Sequence, residues 1–234
     1  FDAAMVKSTA IMGNVSDVMK GEMSDAAREV AKQTTFSAAQ AAESFFFLAS
    51  AGLDAEQSIA AMPKVANFAQ AGMFDMALAT DLLTDAQSAL GLSVDDTQQN
   101  MANMARVSDT LVRANVLANA SVQQFSEALT NKAGAALKTL GKDVEEGVAV
   151  LAAFADQGIK GEYAGTQLGI VLRDLTTKSI KNTSAFRRMG VEVFDSTGDM
   201  NNMADIIGDL EGALDGMSDQ TQKATLLQMG FSDK

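Results

Sequence analysis

The sequence contains no histidine, no cysteine and no tryptophan, and it has only one proline and one tyrosine among its 234 residues. Without histidine and cysteine, the chain cannot form a Ser-His-Asp or Cys-His catalytic arrangement, nor a zinc site ligated by those residues. The lack of cysteine also excludes a disulfide framework and thiolate chemistry, while leaving the cellular compartment open. The nucleophilic and metal-dependent mechanisms that need these side chains are therefore excluded.

Long apolar segments are missing as well. The longest uninterrupted apolar runs cover residues 45–49 and 148–155, far below the roughly 18–20 residues that a membrane-spanning helix requires. We therefore predict no membrane span in this sequence. No secretory signal is recognisable, and the sequence begins with Phe1 rather than methionine, so we expect a fragment of a longer chain.

The charge is acidic overall and unevenly distributed. The formal net charge is −12, yet residues 160–188 contain six basic residues against two acidic ones, a local charge of +4. Residues 189–234 contain nine acidic and two basic residues. Because an acidic chain is repelled by phosphate backbones, we predict no sequence-specific nucleic-acid partner. The basic stretch is either a solvated face or a contact with a partner.

The central feature of the sequence is a helix with both ends marked, running from Ser37 to Gly52. Ser37 and Gln40 have the spacing of an N-terminal capping box, and Gly52 can adopt the left-handed conformation that ends a helix. The helical period places Phe45 and Phe46 on two adjacent apolar stripes, so both are predicted to be core residues. Phe47 falls near the polar stripe and is the least certain of the three phenylalanines.

Residues that end one helix and begin the next recur along the chain, which predicts many short corners between helices. A stop glycine followed by a capping residue occurs at Gly52-Leu53-Asp54, Gly91-Leu92-Ser93 and Gly141-Lys142-Asp143. A break or kink is expected at Pro63. Gly161, Gly165 and Gly169 recur every four residues, which predicts a groove where another helix approaches closely.

Only one stretch departs from the helical period. Residues 190–194 alternate, and residues 195–198 have turn chemistry, which predicts a short strand and its return. The predicted fold class is therefore all-α, a multi-helix globular domain with short glycine-capped corners and one small β-hairpin near residues 191–200. We expect residues 1–234 to form a single helical domain, with a sub-boundary near residues 119–121 left open.

Two stretches resemble ligand-binding motifs but lack residues that those motifs require. The Gly141-Lys142 pair lacks the glycine and the Ser/Thr that a phosphate-binding loop needs, because Ala136 and Asp143 stand there. Asp195, Thr197 and Asp199 have calcium-loop spacing, but the motif's glycine and glutamate are missing, so a turn is the better interpretation. No cofactor, metal site or catalytic residue is predicted.

Several stretches, taken in order, resemble the conserved core domain of tape measure proteins from the tails of long-tailed phages or prophages. The stretches are residues 33–43, 47–56, 89–92, 155–161, 164–168, 189–195 and 198–200. Their order and spacing match over nearly the whole chain, although residues 131–134 stand where the family usually has a proline-containing segment. The resemblance implies a non-catalytic virion component that acts in tail assembly and tail length determination.

The resemblance also implies where the protein acts and what it contacts. The expected location is the lumen of the virion tail, and the host cytoplasm during assembly. Expected partners are further copies of the chain and tail tube, tail tip or tail chaperone proteins. The basic stretch supplies a candidate partner contact at Lys178, Lys181, Arg187 and Arg188. Two alternatives stay open: a membrane-active helical domain that assists genome delivery, and a module associated with a cell-wall hydrolase.

Overall fold

The computed structural model describes residues 1–231, and within them the chain forms α-helices joined by short connections. Helices and breaks follow the local sequence closely, since most helices begin at a side-chain cap. The helices are α1 (Asp2–Met12), α2 (Asp17–Gln33), α3 (Ala38–Ser50), α4 (Ala55–Gly72), α5 (Met76–Ala89), α6 (Thr97–Leu117), α7 (Val122–Ala128), α8 (Gly134–Thr139), α9 (Val144–Asp156), α10 (Gly161–Lys181), α11 (Thr183–Arg188), α12 (Met203–Leu214) and α13 (Asp219–Gln228). The prediction of an all-α fold is confirmed.

Helix α3 is the centre of the N-terminal half and packs against α1, α2, α4 and α5. Phe45 is fully buried, as predicted, but Phe46 is 39% exposed and Phe47 is half-buried. The prediction that Phe46 is a core residue is therefore wrong. Of the two adjacent apolar stripes, the one that contains Phe45 and Leu48 faces the neighbouring helices.

Both ends of α3 have the predicted chemistry. The Ser37 hydroxyl accepts a hydrogen bond from the Gln40 backbone N–H at 3.2 Å, and the Gln40 side chain accepts one from the Ser37 N–H at 2.9 Å. At the other end Gly52 has φ +91°, and the Leu53 N–H donates to the Leu48 carbonyl at 3.1 Å. This is a Schellman motif, which satisfies carbonyls that the helix end would leave without partners.

The end of α4 forms the same Schellman motif, with Met73 in place of glycine at the left-handed position. Gly72 is the last helical residue, and Met73 adopts the left-handed conformation with φ 57°. The Phe74 ring packs over Gly72 so closely that a Cβ there would lie 2.0 Å from a ring carbon. Glycine at residue 72 therefore leaves room for this ring, and the exposed Met73 occupies the left-handed position.

Helix α4 also runs uninterrupted through Pro63, contrary to the expected break. Its Met62, Val65 and Phe68 side chains are fully buried, and the helix packs against α2, α3, α5 and α6. Pro63 lies on the exposed side, where water can replace the hydrogen bond that proline cannot donate. Tertiary packing therefore outweighs the local preference for a break.

The C-terminal half is organised around α10, which packs against α7, α8, α9 and the segment Leu129–Ala133 between α7 and α8. That segment is kinked, because Asn131 (φ −92°, ψ 85°) and Lys132 (φ 72°) have non-helical backbone angles. A Cβ on Gly165 would lie 2.1 Å from the Ala128 carbonyl oxygen and 2.4 Å from that of Asn131. The predicted close approach along the α10 glycines is confirmed at Gly165.

Gly165→Ala is expected to lower the free energy of unfolding by about 1–3 kcal/mol, because the added methyl overlaps backbone atoms that cannot rotate away. Gly169 provides the matched control on the same helix face, since a Cβ there would meet the nearest atom at 3.4 Å. Gly169→Ala should be neutral or stabilising by up to about 1 kcal/mol, as for glycine in a helix interior. Equal denaturant midpoints for the two variants would contradict the close packing.

The predicted β-hairpin near residues 191–200 is not formed. One antiparallel bridge joins Phe194 to Met200, and no strand or sheet occurs in residues 1–231. Two backbone hydrogen bonds flank the bridge, from the Asp195 N–H to the Asp199 carbonyl and from the Asn201 N–H to the Val193 carbonyl, both at 2.9 Å. A longer ladder would also pair the Val193 N–H with the Asn201 carbonyl, but that carbonyl accepts from Lys142.

Candidate interaction surface

The four basic residues predicted as a partner contact lie at the C-terminal end of α10 and in α11, but they have different surroundings. Lys178 is engaged within the chain: its ammonium group lies 2.9 Å from an Asp174 carboxylate oxygen and 4.5 Å from the centre of the Phe231 ring. Its side chain is only 20% exposed. Lys178 therefore links the last described residues to α10.

The contact with Lys178 changes the pKa of the Asp174 carboxyl group. The hydrogen bond from Lys178 holds the pKa of Asp174 below its usual range, and Arg173 adds a second hydrogen bond. A carboxylate with a lowered pKa is ionised through neutral pH, so the Lys178–Asp174 pair persists there.

Lys181, Arg187 and Arg188 form the remaining basic surface, which we call the basic patch. All three are exposed, and none has an ion-pair partner in the part of the chain that the structure describes. Arg187 also lines an open groove of about 410 Å³ between α10–α11 and residues 190–196. Ile180 and Phe194 give this groove apolar walls, and the acidic residues Glu192 and Asp195 also line it.

A second groove, which the sequence did not indicate, lies between α6 and α9. Its volume is about 600 Å³, and Ala114, Leu117 and Val148 line it. Arg106 closes one end with a bidentate contact to Glu145, at 2.7 and 2.6 Å, and with a contact to Asp143 at 2.8 Å. The hydrogen bond from Arg106 lowers the pKa of Glu145. Arg106, Asp143 and Glu145 therefore pair their charges within the chain, and Asp109 and Arg113 also line the groove.

The charged side chains at residues 141–146 bind other parts of the chain and do not cap α9. Asp143 makes no side-chain cap, contrary to the pattern, because its carboxylate binds Arg106. The nearly buried Lys142 ammonium instead donates to the Met200 and Asn201 carbonyls at 2.6 and 2.7 Å. Glu146 lies 3.4 Å from Lys142 and accepts from the Met203 N–H. The i, i+4 spacing of Lys142 and Glu146 was the available signal for this pair.

The acidic turn at Asp195 is confirmed as a turn. An Asp195 carboxylate oxygen accepts from the Thr197 N–H at 2.8 Å, the Thr197 hydroxyl at 2.7 Å and the Asp199 N–H at 3.0 Å. The hydrogen bond from the Thr197 side chain lowers the pKa of Asp195. Across residues 1–231, no group of three or more acidic side chains is arranged to hold a metal ion.

Comparisons with known proteins agree with the resemblance noted in the sequence. The model of the phage-related minor tail protein family matches residues 24–231. The chain is 30% identical over 230 residues to the tape measure protein of Pneumococcus phage Dp-1, covering 98% of this chain and 19% of that protein. It is 31% identical over 189 residues to the probable tape measure protein of Escherichia phage P2, covering 81% of this chain and 22% of that protein.

The chain therefore spans about a fifth of the length of the curated relatives it matches. No solved structure matches it. Within residues 1–231, no helix combines the length and the apolar character that crossing a bilayer demands. The family match extends over nearly all of the described helices, from α2 to α13. The predicted kinship with tape measure proteins is confirmed, and the chain belongs to the family of phage-related minor tail proteins.

Proposed function

We propose that this chain is a structural, non-catalytic part of a phage tail that acts in tail assembly and in determining tail length. The observation that carries the proposal is the ordered match to two tape measure proteins, one of them over 98% of the chain. The names of the matched relatives favour neither a membrane-active role nor an association with a cell-wall hydrolase.

Within that function, the chain acts as a folded unit rather than as an extended ruler. A single straight helix of this length would span about 350 Å at 1.5 Å per residue. The longest helices, α6 and α10, have 21 residues each, which corresponds to about 32 Å. Helix ends and corners fold the chain back on itself, so these residues contribute to tail length as a folded unit and not as an extended ruler.

The proposed domain organisation is a single domain. The connection between α6 and α7 contains the sub-boundary suggested near residues 119–121. Helix α7 packs against α5 and α6 on one side of that connection and against α10 on the other. The Asn115 amide also donates to the Ala120 carbonyl at 2.9 Å across it. These contacts favour one continuous core over two separate units.

The proposed location is the lumen of the virion tail, reached after assembly in the host cytoplasm. The proposed partners are further copies of the chain and tail tube, tail tip or tail chaperone proteins. The basic patch supports this assignment, because three exposed cations without ion pairs in the described structure stand in a chain whose net charge is −12. Such a surface attracts acidic partners selectively.

Phage carrying Arg187→Glu and Arg188→Glu should give fewer tailed particles, with tail lengths scattered around or below normal in electron micrographs. Charge reversal turns an attractive contact into a repulsive one, and the effect should be larger at low ionic strength during assembly in vitro. The matched control is Lys7→Glu with Lys138→Glu, which changes the net charge equally at exposed positions on α1 and α8.

Two outcomes would contradict the proposal at different levels. Normal tails from phage carrying Arg187→Glu and Arg188→Glu would show that the basic patch has no role in tail assembly. Normal tails from phage carrying Phe45→Ala, which removes a fully buried ring from the core, would overturn the assembly role of the folded chain itself.

A further inference from the structure

Helix α6 carries an exposed stripe along the groove that it forms with α9. The stripe consists of Asp109, Arg113, Val116 and Leu117. Spacings of three and four residues place these side chains on one face of the helix. Val116 is 79% exposed and Leu117 is 75% exposed, and among the large apolar side chains of residues 1–231 only Met73 is more exposed. Two neighbouring apolar side chains are therefore uncovered at the end of α6.

The stripe also carries two charges that have no partner within the described chain. Asp109 and Arg113 both line the groove and are both exposed, and neither forms an ion pair within residues 1–231. Their spacing of four residues would permit an ion pair along the helix, but no such pair is formed. The groove therefore presents one unpaired negative charge and one unpaired positive charge, one helical turn apart.

Helix α9 forms the other wall of the groove, mostly with small or apolar side chains. The residues that line the groove from α9 are Glu145, Val148, Ala149 and Ala152. Arg106 contacts Glu145, and the Asn119 N–H donates to Asp156 at 3.2 Å, so α6 and α9 run side by side in the same direction. The alanines leave room for another helix to approach this wall closely.

We infer that this groove binds the same groove of a second copy of the chain, with the two α6 helices antiparallel about a two-fold axis near Val112. The inference rests on the proposed function, since it names the surface through which further copies associate. At about 1.5 Å rise per residue, Asp109 of each copy then lies within one helical turn of Arg113 of the other copy. A two-fold axis forms this ion pair twice, so one surface is complementary to itself.

The antiparallel orientation follows from the charges and also covers the apolar end of the stripe. Parallel α6 helices would place Asp109 opposite Asp109 and Arg113 opposite Arg113, and such like-charge contacts are unfavourable. In the antiparallel pair, Leu117 of one copy comes level with Val148 and Ala149 of the other copy. The exposed leucine therefore meets an apolar wall, and burial of its surface adds to the two ion pairs.

The test is sedimentation of the 234-residue chain across a range of concentrations. The wild-type chain should form dimers, and these should dissociate more readily at high salt. Asp109→Arg and Arg113→Asp should each weaken dimerisation at least about tenfold, because each substitution puts two pairs of like charges in contact. The control Lys7→Glu with Lys138→Glu, at exposed residues on α1 and α8, should dimerise like the wild type.

The decisive experiment mixes the Asp109→Arg variant with the Arg113→Asp variant. One chain then has two positive charges on the stripe and the other has two negative charges, so a heterodimer should form although neither variant dimerises well alone. The double variant Asp109→Arg, Arg113→Asp should also dimerise. If the two charges interacted only within one helix, the double variant would recover and the mixture would not.

The apolar part of the contact has its own matched pair of variants. Leu117→Ser should weaken dimerisation, whereas Val18→Ser, at a residue that is 73% exposed on α2, should not. Unchanged thermal melting of every variant establishes that its fold is intact.

The inference is overturned if the wild-type chain stays monomeric, or if charge reversal on α6 leaves its association unchanged. It is also overturned if the mixed variants fail to associate, because the charges would then not meet across the contact. None of these results decides the tail-assembly function, which depends separately on the tails formed by the Phe45→Ala phage.

Discussion

Phe45→Ala is expected to lower the free energy of unfolding by about 3–5 kcal/mol, the usual cost of truncating a buried aromatic side chain. The Phe45 ring is fully buried, and α3 is surrounded by α1, α2, α4 and α5. Four packed helices cannot all move inward to fill the space, so most of the cavity would remain. Urea unfolding followed by circular dichroism would measure the change.

Phe46→Ala is the matched control, one residue along the same helix. Phe46 is 39% exposed and makes an edge contact with Phe47 at a ring separation of 5.6 Å. Its truncation should cost only about 1 kcal/mol, from partial burial and the loss of that contact. Equal losses for the two variants would mean that both rings lie in the core in solution.

The three phenylalanines show what the sequence determines about this fold and what it does not. Helical period and capping chemistry are local, so the boundaries of α3 were predictable from Ser37 and Gly52. The period also separates Phe45 from Phe46, but it does not say which apolar stripe faces the neighbouring helices. That choice depends on where α1, α2, α4 and α5 lie, which one helix cannot specify.

The same distinction between local sequence and contacts with distant residues explains the errors at Pro63 and at the predicted hairpin. Helix α4 continues through Pro63 because it is packed against α2, α3, α5 and α6. The hairpin is reduced to one bridge where Lys142, distant in sequence, takes the Asn201 carbonyl that a longer ladder would use. In both places contacts with distant parts of the chain decided between conformations that the local sequence allowed.

The surroundings of the four basic residues could be predicted only in part. The charge count identifies the basic stretch, and Lys181, Arg187 and Arg188 are exposed. Lys178 and Asp174 have the i, i+4 spacing that predicts an ion pair on a helix. The contact between Lys178 and Phe231 joins residues that are distant in sequence, so it could not be predicted.

Lys142→Met is expected to destabilise the docking of residues 199–231 by about 3–5 kcal/mol, the range measured when one member of a buried ion pair is removed. The Lys142 and Glu146 side chains are 7% and 14% exposed and lie 3.4 Å apart. Without the ammonium group, the Glu146 carboxylate loses its counter-charge, and the Met200 and Asn201 carbonyls lose a donor. Amide hydrogen exchange should accelerate strongly in α12 while α3 stays protected, because the opening is local.

Lys138→Met is the control, since Lys138 is exposed on α8, four residues before Lys142 in the sequence. The Lys138→Met substitution should change the free energy of opening of α12, measured by hydrogen exchange, by no more than about 0.5 kcal/mol, as for surface substitutions in general. The double variant Lys142→Met, Glu146→Gln should be less destabilised than Lys142→Met, because it leaves no uncompensated buried charge. Equal exchange of α12 in Lys138→Met and Lys142→Met would show that the α12 surface is held by its apolar residues Met203 and Ile206 alone.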